Sequence, residues 1–255
     1  MKRLITILPL LSLLVISCHR EPVAEATVDL NPAYVGELIH FTSYSTNTNY
    51  VEWDMDDGTM YSSPIVDHFY MDPGYYDVQL RAFGDKGGVS TAVIPMQVIG
   101  SEVTIVVEDV DVEGLLIAEA EVYLFRTLED WDSADLDRAI GPFYTNSYGE
   151  VTIDGLSYQR YYVDVFYRYG DEGWVNWDLG AADVGWIETQ LLTGWELHTF
   201  IAYVEAVIFL DGKKSAEMEE SRKGRIPRSP AAGQLKSSED RPQKENKTSV
   251  PRENR

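Results

Sequence analysis

The sequence predicts an all-β chain: two tandem β-sandwiches followed by a disordered C-terminal tail. Three observations lead there. Short runs of alternating apolar and polar residues recur from Thr27 to Phe209, separated by Gly, Pro, Asn and Asp. Aromatic residues make up 12% of the chain, with 16 Tyr and 6 Trp, a level that suits half-buried sheet faces. Beyond Lys213 large apolar residues become rare and charges dense, so that stretch cannot bury enough surface to fold by itself. With 255 residues and a hydrophobic share of 44%, each of two domains can hold a core.

The chain opens MKRLITILPLLSLLVISC, two basic residues followed by an apolar run from Leu4 to Ser17. A membrane-spanning helix needs about 20 apolar residues, so this run is too short to span and reads as a secretory signal over residues 1–17. Val15-Ile16-Ser17-Cys18 resembles the lipobox of bacterial lipoproteins. The resemblance implies that Cys18 becomes the acylated N-terminus. Several acyl chains give lasting attachment, since each buried CH₂ contributes about 0.8 kcal/mol and a single chain is marginal. Cys18 is the only cysteine, so a monomer has no disulfide and relies on packing. Residues 18–26, polar and containing Pro22, are expected to form a tether. By the same resemblance, the absence of Asp just after Cys18 points to an outer-membrane lipid anchor in the cell envelope.

The first sandwich is expected over residues 27–99. Strand-like runs start at Thr27, at Glu37, and at Tyr50 (Tyr50-Val51-Glu52-Trp53-Asp54). From Tyr75 to Ala82 the alternation is clean, with Tyr76, Val78, Leu80 and Ala82 on one face. Val89 to Val98 carries Pro95, which suits an edge. Trp53-Asp54-Met55-Asp56-Asp57-Gly58, followed by His68-Phe69-Tyr70-Met71-Asp72-Pro73-Gly74-Tyr75-Tyr76-Asp77-Val78-Gln79-Leu80, resembles a PKD domain. That resemblance implies an immunoglobulin-like sandwich serving as a spacer or interaction module outside the cell. Two positions depart from the family pattern: Met55 stands at its Phe and Asp56 at its Gly.

Asp54, Asp56 and Asp57 are candidate metal ligands, because a carboxylate cluster can hold calcium. The spacing is not that of an EF-hand: counted from Asp54, Gly58, Thr59 and Ile65 fall where Asp, Gly and Glu are needed. A turn closed by Asp57-Gly58, with Trp53 in the core, explains the same residues.

Gly100-Ser101 marks a boundary, and the second sandwich is expected over residues 101–210. Val103, Ile105 and Val107 share one strand face. Ala120-Glu121-Val122-Tyr123-Leu124, then Thr145-Asn146-Ser147-Tyr148-Gly149-Glu150-Val151-Thr152-Ile153-Asp154-Gly155-Leu156, then Tyr161-Tyr162-Val163-Asp164-Val165, resemble the transthyretin-like or carboxypeptidase-regulatory-like sandwich. The resemblance implies that Gly149 closes a turn and Leu156 plugs the core. Glu129 to Ile140 breaks the strand rhythm and is expected to be a short helix or a rim loop. Strands are expected at Gly173–Asp178, Ile187–Thr189 and Leu197–Phe209. The last of these has Phe200, Ala202 and Val204 on its core face. Residues 211–255 form the basic tail.

No catalytic arrangement is legible. His19, His40, His68 and His198 do not sit at metal spacing. Gly155-Leu156-Ser157-Tyr158-Gln159 misses the nucleophile elbow at its last position, and Gly84-Asp85-Lys86-Gly87-Gly88 reads as a hairpin turn. No cofactor and no enzymatic activity are expected. Residues 19–210 hold 34 of the 42 acidic residues and only seven of the 21 basic ones, so nucleic acid is not an expected partner. The expected partners are the lipid bilayer, through Cys18, and a protein or glycan met by the displayed sandwiches. Five of the six Trp lie in the second sandwich; Trp131, Trp174 and Trp177 are candidate ligand-binding residues, since exposed indoles stack on sugars and anchor proteins.

Overall fold

A computed structural model of the chain describes residues 20–208 together with Val250–Pro251. The residues expected to form the signal, Cys18 and the rest of the tail lie outside the described residues.

The first sandwich contains β1 (Ala26–Val28), β2 (Ala33–Tyr34), β3 (Ile39–Ser43), β4 (Tyr50–Asp54), β5 (Met60–Tyr61), β6 (Ile65–His68), β7 (Gly74–Phe83) and β8 (Val89–Ile99). One sheet runs β1-β3-β6 and the facing one β2-β8-β7-β4-β5. Alternation decides which side chains fill the space between them: Phe41, Val51, Trp53, Val78, Leu80 and Ala82 point inward and are buried. Met55 occupies the core beside Trp53, where the family pattern carries Phe.

Pro95 sits where β8 has no strand on its outer side, because β2 pairs only with Val98 and Ile99. The Asn31 side chain covers that edge: its amide donates to the Pro95 carbonyl (2.8 Å) and its oxygen accepts from the Gln97 N–H (3.1 Å).

Gly100 alone separates β8 from β9 (Ser101–Asp109). The second unit continues with β10 (Glu121–Phe125), α1 (Leu128–Asp132), β11 (Ile140–Tyr144), β12 (Glu150–Leu156), β13 (Tyr162–Tyr169), β14 (Glu172–Val175), α2 (Trp177–Ala182) and β15 (Glu196–Ile208). Its strands follow the order β11-β10-β13-β14-β15-β9-β12. The long β15 belongs to both halves of this sandwich. Residues 197–204 pair parallel with β9, and residues 205–208 pair antiparallel with β14. The β11–β12 turn, closed by a hydrogen bond from the Gly149 N–H to Asn146, joins strands at the two ends of that order, so the sheet wraps around its core. Val103, Ile105, Leu156, Phe200, Ala202 and Val204 fill it.

Three expectations need correction. Residues 21–26 are not a free tether. Val23 bridges to Thr46, the Ala24 N–H donates to Ser90, and Pro22 lies against Gly84 and Gly88. The strand expected to run through Trp177 stops at Val175: Trp177 opens α2 after Asn176, whose amide is tied to Val163 and Val165. Residues 187–189 form no strand; a 3-10 turn over Val184–Trp186 precedes an isolated bridge between Tyr162 and Glu188. Within the tail, Val250–Pro251 forms β16, antiparallel to the start of β15. Among the described residues no helix is long and apolar enough to cross a membrane.

Candidate functional site

The acidic loop between β4 and β5 is built from hydrogen bonds to its own backbone. Asp54 Oδ1 accepts from the Asp56 N–H (3.1 Å), and Asp57 Oδ1 from the Thr59 N–H (2.9 Å). Asp56 Oδ2 accepts from the Asp77 N–H on β7 (2.9 Å). These are turn-forming contacts. Asp56, at the position where the family pattern has Gly, adopts φ of 62°, the left-handed conformation that glycine supplies without cost.

Asp57 Oδ2 lies 2.9 Å from His68 Nε2, and the Tyr61 hydroxyl lies 3.1 Å from His68 Nδ1. His68 is buried and both its ring nitrogens are engaged. The Tyr70 hydroxyl donates to the Met55 carbonyl (3.0 Å), and burial, with the nearby Asp57 charge second, pushes it well above the usual tyrosine range. The network ties the loop to the core. Among the described residues no group of three or more His, Cys, Asp or Glu is arranged to hold a metal ion.

The candidate tryptophans separate into three environments. Trp131 is 2% exposed and donates from Nε1 to the Val163 carbonyl (3.1 Å), so it is core and offers nothing to a surface ligand. It fills a satellite cluster with Tyr123, Phe125 and Ile187 on the outer face of β10 and β13. Trp174 is half-buried, and its Nε1 donates to Asp109 Oδ2 (2.8 Å). Trp177 is half-buried and stacks on Phe166 with ring planes 5° apart. The three do not converge on one patch.

What the sequence did not single out is the junction between the sandwiches. Gly36, with φ of 74°, lies under the Tyr158 ring; a Cβ there would come within 2.3 Å of Tyr158 Cδ2. The Tyr158 N–H donates to the Met71 carbonyl (2.8 Å). The Ser157 hydroxyl donates to Asp72 Oδ1 (2.5 Å), and Arg126 reaches both Ser157 (3.2 Å) and Asp72 (3.6 Å). Aromatic rings continue across it: Phe69 meets Tyr158 edge-on at 6.2 Å, and Tyr158 stacks on Trp195 at 6.4 Å. Ser157 and Tyr158 lie inside the stretch that fails as a nucleophile elbow, and nothing local marks them as contact residues.

Residues 24–94 match the PKD domain family. No curated protein matches the chain. Among solved structures, the chain is similar to the PKD1 domain of Vibrio anguillarum Epp, with 25% identity over 31% of this chain and 94% of that one, at a TM-score of 0.27. It is also similar to the PKD1 domain of the Vibrio cholerae metalloprotease PrtV, with 22% identity over 31% of this chain and 98% of that one, at a TM-score of 0.27. A longer alignment, 61% of this chain and 57% of the other, relates it to a carbohydrate-binding module of the β-sandwich superfamily at 18% identity and a TM-score of 0.31.

Proposed function

We propose that the chain is a non-enzymatic cell-envelope lipoprotein that displays two β-sandwich interaction modules from the outer membrane, anchored through acylated Cys18. The observation that carries this reading is the way the two sandwiches are fused. A single residue, Gly100, links β8 to β9, and the Gly36–Tyr158 contact with the Asp72–Ser157–Arg126 hydrogen bonds clamps the two bodies together. A short, clamped connection suits a projecting stalk that holds its outer loops at a fixed distance and orientation. The signal-like N-terminus and single cysteine support the anchor, and the PKD match over residues 24–94 supports an interaction module. The transthyretin-like character of residues 101–210 belongs to the same reading. The test is fractionation of cells expressing the full chain. The wild type is expected in the membrane fraction with an acylated N-terminus by mass spectrometry, and Cys18→Ser in the soluble fraction. A Cys18→Ser protein that stays with membranes would refute the anchor.

A second reading, glycan binding through second-sandwich aromatics, is favoured by the stacked Tyr158–Trp195 pair, which Phe69 of the first sandwich meets edge-on. Pull-down on insoluble polysaccharides, lost in Trp195→Ala, is its expected outcome. Retention equal to wild type excludes this pair from glycan contact.

A further inference from the structure

One end of the first sandwich collects exposed apolar side chains at the place where the N-terminus arrives. The β3–β4 loop and the β7–β8 hairpin form this end, opposite the junction. Tyr50 and Phe83 are cross-strand partners on the outer face of the β2-β8-β7-β4-β5 sheet, their rings stacked at 4.5 Å and 6°. Val89 pairs with Phe83 on the same face. Val23, Tyr44, Tyr50 and Val89 are each more than half exposed. The Arg81 guanidinium lies over the Phe83 ring at 5.9 Å.

The leader is fixed to this end. Asn47 donates to the Glu21 carbonyl (3.2 Å), Val23 exchanges backbone hydrogen bonds with Thr46, and the Tyr44 N–H donates to the Glu25 carbonyl (2.8 Å). Gly88 permits the close approach: a Cβ there would sit 2.5 Å from the Glu21 carboxylate and 2.9 Å from Pro22. Only His19 and Arg20 remain between Glu21 and Cys18. A chain advances at most about 3.6 Å per residue, so the Cys18 Cα lies within ~11 Å of the Glu21 Cα.

We infer that this end of the first sandwich is a membrane-contact face, with Tyr44, Tyr50, Phe83 and Val89 seated in the interfacial layer of the bilayer that holds the acyl chains of Cys18. The inference rests on the lipoprotein reading. An anchor within ~11 Å of a docked leader keeps that end near the bilayer, and the exposed aromatic side chains then decide whether the face seats against the headgroups or swings away. Aromatic side chains with one apolar body and a polar edge are favoured at that depth. A second copy of the chain is the competing occupant. The short anchor favours lipid, because it holds the face at the bilayer before any second copy arrives.

The test uses the mature, acylated full chain in vesicles of phosphatidylethanolamine and phosphatidylglycerol. With the Cys18 thiol consumed, one introduced cysteine takes an environment-sensitive label: Asp85→Cys at the β7–β8 hairpin, or Glu113→Cys just after β9, beyond the junction. Lipids bearing a nitroxide at the headgroup are expected to quench the label at 85 several-fold more than that at 113. Tyr50→Ser with Phe83→Ser is expected to remove most of that excess while the protein still sediments with vesicles. Equal quenching at 85 and 113 on vesicle-bound protein overturns the proposal. So does quenching at 85 that ignores the double substitution, or a label shielded by cross-linkable dimers but not reached by the nitroxide. If mass spectrometry finds Cys18 unmodified and the protein does not sediment, the lipoprotein reading itself fails, and this face falls with it.

Discussion

Asp56 shows how one residue can carry a strained turn. Its φ of 62° costs an ordinary residue about 1 kcal/mol, yet its carboxylate accepts the Asp77 N–H and ties the turn to β7. Replacing it by Gly removes both the strain and the hydrogen bond, and stability measured by urea unfolding is expected to change by less than about 0.5 kcal/mol. Asp56→Ala keeps the strain and drops the bond, and is expected to cost about 1–2 kcal/mol. An Asp56→Ala protein as stable as the wild type would show that the bond to Asp77 contributes nothing. The inward position of Trp53 and the turn at Asp57-Gly58 were legible in the sequence, because period-two alternation fixes one and glycine chemistry the other. The Asp57–His68–Tyr61 network was not, since it joins three strand ends whose pairing no local pattern encodes.

At the scale of elements, the acidic stretch after β10 behaves as a lid. Thr127 caps α1: its hydroxyl accepts from the Asp130 N–H (3.1 Å) and donates to Asp130 Oδ2 (2.6 Å). Arg138, after a 3-10 turn over Leu136–Arg138, closes back on Asp130 (2.9 Å). The lid presses Trp131 onto the outer face of β10 and β13. Thr127→Ala is expected to cost about 1 kcal/mol, read from equilibrium unfolding.

The Thr127 hydroxyl, then the Arg138 guanidinium, hold the Asp130 carboxyl below the usual carboxylate range. A group held low in the folded state stabilises it above the unfolded value near pH 3.9 and stops doing so as pH falls through the folded value. The stability difference between wild type and Asp130→Asn is therefore expected to be present at neutral pH and to close below about pH 4. A difference that stays constant from pH 7 to pH 3 would remove Asp130 from the lid's support. The break in strand rhythm at Glu129–Ile140 announced this lid, but the burial of Trp131 was hidden. An indole followed by Asp, Ser and Ala reads as surface until tertiary packing closes over it.

Over the whole molecule, the junction decides whether the two sandwiches act as one body. Its contacts join residues far apart in sequence, as with Ser157 and Asp72, 85 positions apart, so no periodicity or motif could have announced them. The sequence places a boundary at Gly100-Ser101, but the clamp across it has no local signature. Gly36 is the position that tests it. Any side chain there must adopt φ of 74° and displace the Tyr158 ring. Gly36→Val adds left-handed strain, about 1–2 kcal/mol, to overpacking of about 1–3 kcal/mol. The strain falls on the β2–β3 turn of the first sandwich and the overpacking on the junction, while the second sandwich keeps its own core. The expected outcome is a larger radius of gyration by small-angle scattering and a single calorimetric transition split into two, with the second sandwich melting near its wild-type temperature. If Gly36→Val leaves the scattering curve unchanged, the sandwiches hold their geometry without Tyr158, and the stiffness of the junction must reside in the Gly100 link and the Asp72–Ser157–Arg126 bonds alone.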